Sequence, residues 1–324
     1  MFVSLSEAIK LIQENKILHI AADESLLKQL PKGKWIAGTT PYFITEQGGI
    51  TTKDKLFVNE IQCAVDFKTV VYDRNNIFDI TKDAYPNGMT FLIIPFASDV
   101  AVYYAKEAPN SDDLLLNPTV GWISGYDLST DSKAKVYDGV TGLSYSDKAV
   151  ALHIGLPNDK TASIGIVNIF DVDENDAKIE FLEDALSVTK CLVNGKEVFL
   201  SDYITQNKID TKLPLVADYN SVLVNVSVKS VSEENKSVDF YAPVFAGKEY
   251  RFARPVSNYE ASFKERLQKY KDVKPIFSCN CILNYLYGGL EGKATPPFSG
   301  PVTFGEIAYQ LINQTLVYVE IIGK

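Results

Sequence analysis

The apolar residues of this chain come in runs no longer than a β-strand. The longest, such as Phe91 to Ala97 and Leu316 to Val319, are strand-length. Neither approaches the roughly 20 residues that a membrane-crossing helix needs. Val222, Val224, Val226 and Val228 occupy every second position from Ser221 to Ser230, which is the period of a half-buried strand. Asn194-Gly195 separates two apolar runs between Val188 and Leu200. Both residues tolerate φ > 0, so this dipeptide predicts a hairpin with a tight turn. A chain built this way makes layered sheets, and 324 residues correspond to about two domains or one large one.

Helical spacing is sparser. Ser4 or Ser6 caps a helix reaching Lys16, with Ala8, Ile9, Leu11 and Ile12 on its apolar side. Strand Ile17 to Ala21, helix Glu24 to Leu30 and strand Lys34 to Gly38 follow. Asn258 to Lys271 reads as an amphipathic helix, and the segment beginning at Cys281 as a short one. Residues 291 to 301 read as a Gly/Pro-rich loop. The predicted class is α+β: layered, antiparallel-rich sheets with helices, in two interleaved halves, 1–210 and 211–324.

Charge excludes some partners. Lys and Arg number 32 against 41 Asp and Glu, a net charge of −9. That field repels nucleic-acid phosphates and anionic lipid, so neither nucleic acid nor membrane is an expected partner. The densest basic stretch, Lys264 to Lys274, reads as the wet face of a helix. The N-terminal segment holds Glu7, Lys10, Glu14 and Lys16 and lacks the apolar core of a signal peptide. The expected location is cytoplasmic, with Cys63, Cys191, Cys279 and Cys281 as reduced thiols.

Motifs for common chemistries are missing. There is no G-x-S-x-G elbow, phosphate loop or dinucleotide fingerprint. The C-x-C of Cys279 and Cys281 lacks zinc-ribbon spacing, and no metal site is expected. Asp171 to Asp176 begins like a calcium loop, but Asp176 and Leu182 stand where Gly and Glu belong. His19 and His153 each sit between apolar residues and read as hydrogen-bonded histidines. The run from Pro275 to Cys281, followed by Gly300 to Glu306, places thiols, a tight glycine and a carboxylate close together in sequence. These residues could converge on a pocket. Equally, Glu306 could be the N-terminal charge of a helix.

Phe277-Ser278-Cys279, Gly300, Phe304-Gly305-Glu306-Ile307 and Asn313-Gln314-Thr315-Leu316 resemble the C-terminal half of the FIST family of intracellular sensor domains. Ile36-Ala37-Gly38-Thr39-Thr40, the stretch from Asn117 to Gly125, and Ser187 to Lys196 resemble its N-terminal half in order. Two departures are visible: Asn280-Cys281-Ile282 replaces an arginine-containing segment, and Val198 replaces a Pro-Ala.

The resemblance implies a sensor for a small, amino-acid-like ligand, without turnover, acting through a separate signalling protein. The ligand-binding residues it suggests are Gly38, Thr39, Thr40, Cys279, Phe304, Gly305, Glu306 and Asn313. Glu306 would meet a ligand ammonium, and the threonine hydroxyls a carboxylate. No cofactor and no catalytic residue is expected. Three alternatives remain open. One is a haem sensor ligated by His19, His153 or a cysteine. Another is a thiol enzyme using Cys279. The third is a structural interaction module.

Overall fold

The computed structural model describes all residues except 220, 221 and 257. The fold is α+β. Ser4 caps the first helix, Leu5–Gln13, and the Glu7 side chain accepts from the Ser4 backbone N–H in return. This reciprocal pairing satisfies two otherwise orphaned donors. The helix buries Ala8 and Ile12. Leu18–Ala22 and Trp35–Thr39 are parallel neighbours, linked through the short helix Glu24–Leu27. They lie within a sheet ordered Phe2–Val3, Leu56–Glu60, Leu18–Ala22, Trp35–Thr39, Val136–Asp138, Leu143–Tyr145.

A second sheet runs Gln310–Ile312, Glu306–Ala308, Thr119–Ser124, Gly88–Pro95, Ala149–Gly155, Asp66–Tyr72. Its strand Gly88–Pro95 is buried on both faces. Met89, Phe91 and Ile93 join one apolar cluster, and Leu92 and Ile94 another. That explains an unbroken apolar run instead of alternation. A third sheet runs Lys160–Val167, Leu316–Gly323, Phe277–Cys281, Gly300–Thr303, Tyr42–Thr45, Gly48–Thr51. A fourth joins strands between Ile179 and Phe252, and a fifth holds Ala185–Val188, Ser237–Val244 and Val228–Ser232. Strands from either side of residue 210 pair directly: Glu306 lies opposite Trp122, and Gly300 opposite Ile44.

Several elements differ from their sequence reading. The expected strand Ser221 to Ser230 is two strands, Val222–Val226 and Val228–Ser232, and Ser221 lies outside the described residues. Asn225 and Ser227, the polar positions between those valines, are fully buried because they bond inward. Asn225 donates to the Asn313 carbonyl and Ser227 to the Gln314 side chain. Glu306 opens a strand and not a helix, since Glu306–Ala308 pairs with Thr119–Ser124 and Gln310–Ile312. The helix Asp99–Glu107 and the hairpin Tyr42–Thr51 carry no strong sequence pattern. The Asn194-Gly195 turn forms as read, with φ of 49° and 77°. Among the described residues no helix is long and apolar enough to cross a membrane.

Candidate functional site

Strand Phe277–Cys281 runs parallel to Gly300–Thr303. The strands approach so closely that a Cβ on Gly300 would lie 1.9 Å from the Ser278 carbonyl oxygen. The chain then turns at Gly305, beside Ile123 and Asn313. Phe304 lines a cleft on one side of this turn, while Glu306 is wholly buried on the other. The Thr303 hydroxyl donates to Glu306 Oε1 at 2.9 Å. The Thr315 hydroxyl at 2.9 Å and its backbone N–H at 3.3 Å donate to Oε2. Burial nevertheless dominates and pushes the Glu306 pKa up to about 8. At neutral pH this side chain is mainly a protonated acid.

Cys279 and Cys281 are also fully buried. Burial first, and Glu306 second, hold both thiols well above the usual range. Cys279 Sγ donates to the Gly121 carbonyl at 3.6 Å. A thiol kept protonated in this way is a poor nucleophile. The imidazoles that a haem would need are engaged on both nitrogens. His19 bonds Trp122 and Asn59, and His153 bonds Tyr72 and Thr90. Among the described residues no group of three His, Cys, Asp or Glu side chains could hold a metal ion.

The residues singled out from sequence separate into two groups. Phe304, Gly305 and Asn313 gather around the turn beside Ile123, and Cys279 lies near the buried Glu306 carboxyl group. Asn313 Oδ1 has no hydrogen-bond partner among the described residues. Gly38 packs instead beneath Trp122 and Ile93. Thr39 donates to the Gly125 carbonyl at 2.6 Å and Thr40 to the Val302 carbonyl at 2.7 Å. Their hydroxyl hydrogens are therefore committed inside the protein and are not offered to a carboxylate.

Beside this core lies a cleft of about 360 Å³. Its walls include Phe96, Ile123, Phe240, Tyr241, Phe304 and Leu311, with Lys229 and Asp239 among the lining residues. The first turn of helix Asp99–Glu107 contributes Ala101 and Val102. Ala97, just before the helix cap Ser98, has φ 59°. A non-glycine residue in that region is strained, and such residues gather at functional sites. Tyr126 packs against Phe304 with ring centroids 5.2 Å apart. Gly125 permits this closeness, because a Cβ there would meet the Phe304 ring at 2.2 Å.

Sequence reasoning found Phe304 and missed the rest of the cleft. Its residues come from segments near positions 96, 123, 186, 229, 240 and 304, and no local pattern links them. A second cleft of about 250 Å³ lies where the parallel strands Leu18–Ala22 and Trp35–Thr39 end. Asp23, Glu24, Lys53, Tyr126, Asp127 and Lys133 are among its lining residues.

No curated protein and no solved structure matches the chain. The FIST resemblance is overturned, because the family model matching residues 3–322 is a different one. The short F-S-C, F-G-E-I and N-Q-T-L runs are strand ends and turns around a buried carboxyl group, and such runs are too short to define a family. A match over nearly the whole length places the chain in a family described as a family of unknown function, DUF6976.

Proposed function

We propose that this protein binds a small amino-acid-like molecule in the aromatic cleft and does not turn it over. One observation carries the reading: an aromatic-walled cleft of about 360 Å³ has a single cation and a single anion, Lys229 and Asp239, among its lining residues. Mostly apolar cavities with a few polar groups suit small ligands. The ligand carboxylate meets Lys229, its ammonium meets Asp239, and an apolar side group lies among Phe96, Phe240 and Phe304. Asp239, half-buried at the cleft and accepting from the Ser230 hydroxyl at 2.7 Å, takes the role that the sequence reading assigned to Glu306, which is wholly buried. No histidine lines this cleft, and the buried thiols nearby stay protonated. The sensory role with a separate signalling protein loses its support with the FIST resemblance.

Thermal unfolding with L-phenylalanine, L-tyrosine, L-leucine and glycine tests this. A ligand at 100 times its Kd adds about 2.7 kcal/mol of stability, a rise of a few degrees in Tm. The three larger amino acids should raise Tm and glycine should not. Val102→Trp, which fills the cleft from the helix wall, should remove the effect. A Tm unmoved by every amino acid would overturn the proposal.

A further inference from the structure

The polar and aromatic clefts share a wall. Tyr126 lines the polar one, and its ring packs on Phe96 and Phe304, at 6.3 and 5.2 Å, which line the aromatic one. Tyr126 is half-buried and stands in an irregular segment, residues 125 to 135. That segment is tied down by the Lys53–Asp127 ion pair at 2.7 Å and by the Leu128 N–H donating to the Tyr42 hydroxyl at 2.9 Å. Neither tie holds the Tyr126 ring itself.

The charges of the polar cleft are nearly all committed. Glu24 pairs with Lys28 and Lys135, each at 2.6 Å. Asp127 pairs with Lys53, which also feels Asp23. Asp23 caps the short helix through the Ser25 N–H. Lys133 lines the same cleft, is exposed, and has no ion pair among the described residues. Among the described residues Asp23 and Lys133 are the lining charges without an ion pair, and since Asp23 is held by the helix cap, Lys133 is the cation left to meet an anionic group. Lys133 lines the cleft at the carboxyl ends of the paired strands Leu18–Ala22 and Trp35–Thr39.

We propose that the two clefts are parts of one elongated site, joined when the Tyr126 ring turns aside. Its ligand is an amino-acid-like molecule with an aromatic body and a carboxylate at its far end, held by Lys133. This inference rests on the aromatic cleft binding amino acids and adds the chemistry of the distal group.

Calorimetric titration of the full chain with L-tyrosine and O-carboxymethyl-L-tyrosine tests it. The carboxymethyl compound should bind at least tenfold more tightly than L-tyrosine. Lys133→Glu should erase that advantage and leave L-tyrosine affinity unchanged, since Lys133 is outside the aromatic cleft. Tyr126→Ala should keep or enlarge the advantage by removing the shared wall. If L-tyrosine binds and the carboxymethyl compound is no tighter, the elongated site is refuted and the aromatic cleft stands. An advantage that survives Lys133→Glu refutes it equally. If neither compound binds, the elongated site is refuted, and the aromatic-cleft reading falls with it only when L-phenylalanine and L-leucine also leave Tm unmoved.

Discussion

The indole N–H of Trp122 donates to Nε2 of His19 across 2.8 Å in the protein interior. Phe91 and Phe277 close around the imidazole, with ring centroids 5.3 and 4.9 Å away. A ring nitrogen that accepts a hydrogen bond carries no proton, so His19 is neutral with its proton on Nδ1. Asn59 Nδ2 lies 3.4 Å from Nδ1, so this amide accepts that proton once its oxygen and nitrogen are exchanged.

Acid should therefore destabilise the fold through its histidines. Burial lowers the His19 pKa to about 3 and, with Lys68 adding to the effect, that of His153 to about 4. Both folded values lie below the ordinary 6.5. The stabilisation is complete above pH 6.5 and is lost as pH falls toward 4 and 3. Each histidine contributes a slope of up to about 1.4 kcal/mol per pH unit in that window. Urea unfolding at pH 7, 6 and 5 should show this loss, and His19→Asn should lose less across the same interval. Parallel losses in the two proteins would show that His19 is not the group responsible.

Glu306 predicts the opposite slope. Its folded pKa of about 8 lies above the ordinary carboxyl value of 4.5. The stabilisation is complete below pH 4.5 and is lost as pH rises through 8. The slope is again up to about 1.4 kcal/mol per pH unit. Glu306→Gln keeps the shape and cannot ionise, so its Tm relative to the parent should climb steadily between pH 5 and pH 9. A constant difference across that range would mean that the carboxyl group does not titrate there.

The four cysteines should divide by burial. Cys63 is half-buried, whereas Cys191, Cys279 and Cys281 are buried. Alkylation of the native protein at pH 8, followed by mass spectrometry of the peptides, should label Cys63 first. The other three should react only after unfolding, because their thiols are desolvated and protonated. Labelling of Cys279 in the native state at the Cys63 rate would contradict its burial beside Glu306 and restore the case for a thiol enzyme.

The elements legible in sequence are those whose cause is local. Ser4 with Glu7 three residues on marks a helix start whatever lies beyond it. Asn258 likewise caps Tyr259–Gln268 by accepting from the Ala261 N–H at 2.9 Å. Elements without such signals were missed or misread. Thr119–Ser124 contains Gly121, where a Cβ would sit 1.8 Å from the Leu92 carbonyl oxygen. That glycine reflects close contact with a parallel neighbour and not a turn. Of the candidate site, Cys279, Phe304, Gly305 and Glu306 stood out because they are close in sequence. Lys229, Asp239, Phe240 and Tyr126 did not. The first three share one antiparallel strand pair, but nothing in its sequence joins it to Phe304 or Tyr126, which are distant in sequence and meet it only through tertiary packing.

By itself the sequence determined the class of the fold. Strand-length apolar runs, one strong hairpin turn and a few capped helices permit little but layered sheets. It also determined that Glu306 stands next to a tight turn. Tertiary structure alone decided that Glu306 would lie opposite Trp122 in a sheet, protonated and held by two threonines, and not at the head of a helix. It also decided which rings would enclose the cleft. The physical reason is that residue periodicity states which face of an element is buried but carries no information about its partner. Pairing across 100 or more residues is settled by packing and by the hydrogen bonds that buried polar groups must find.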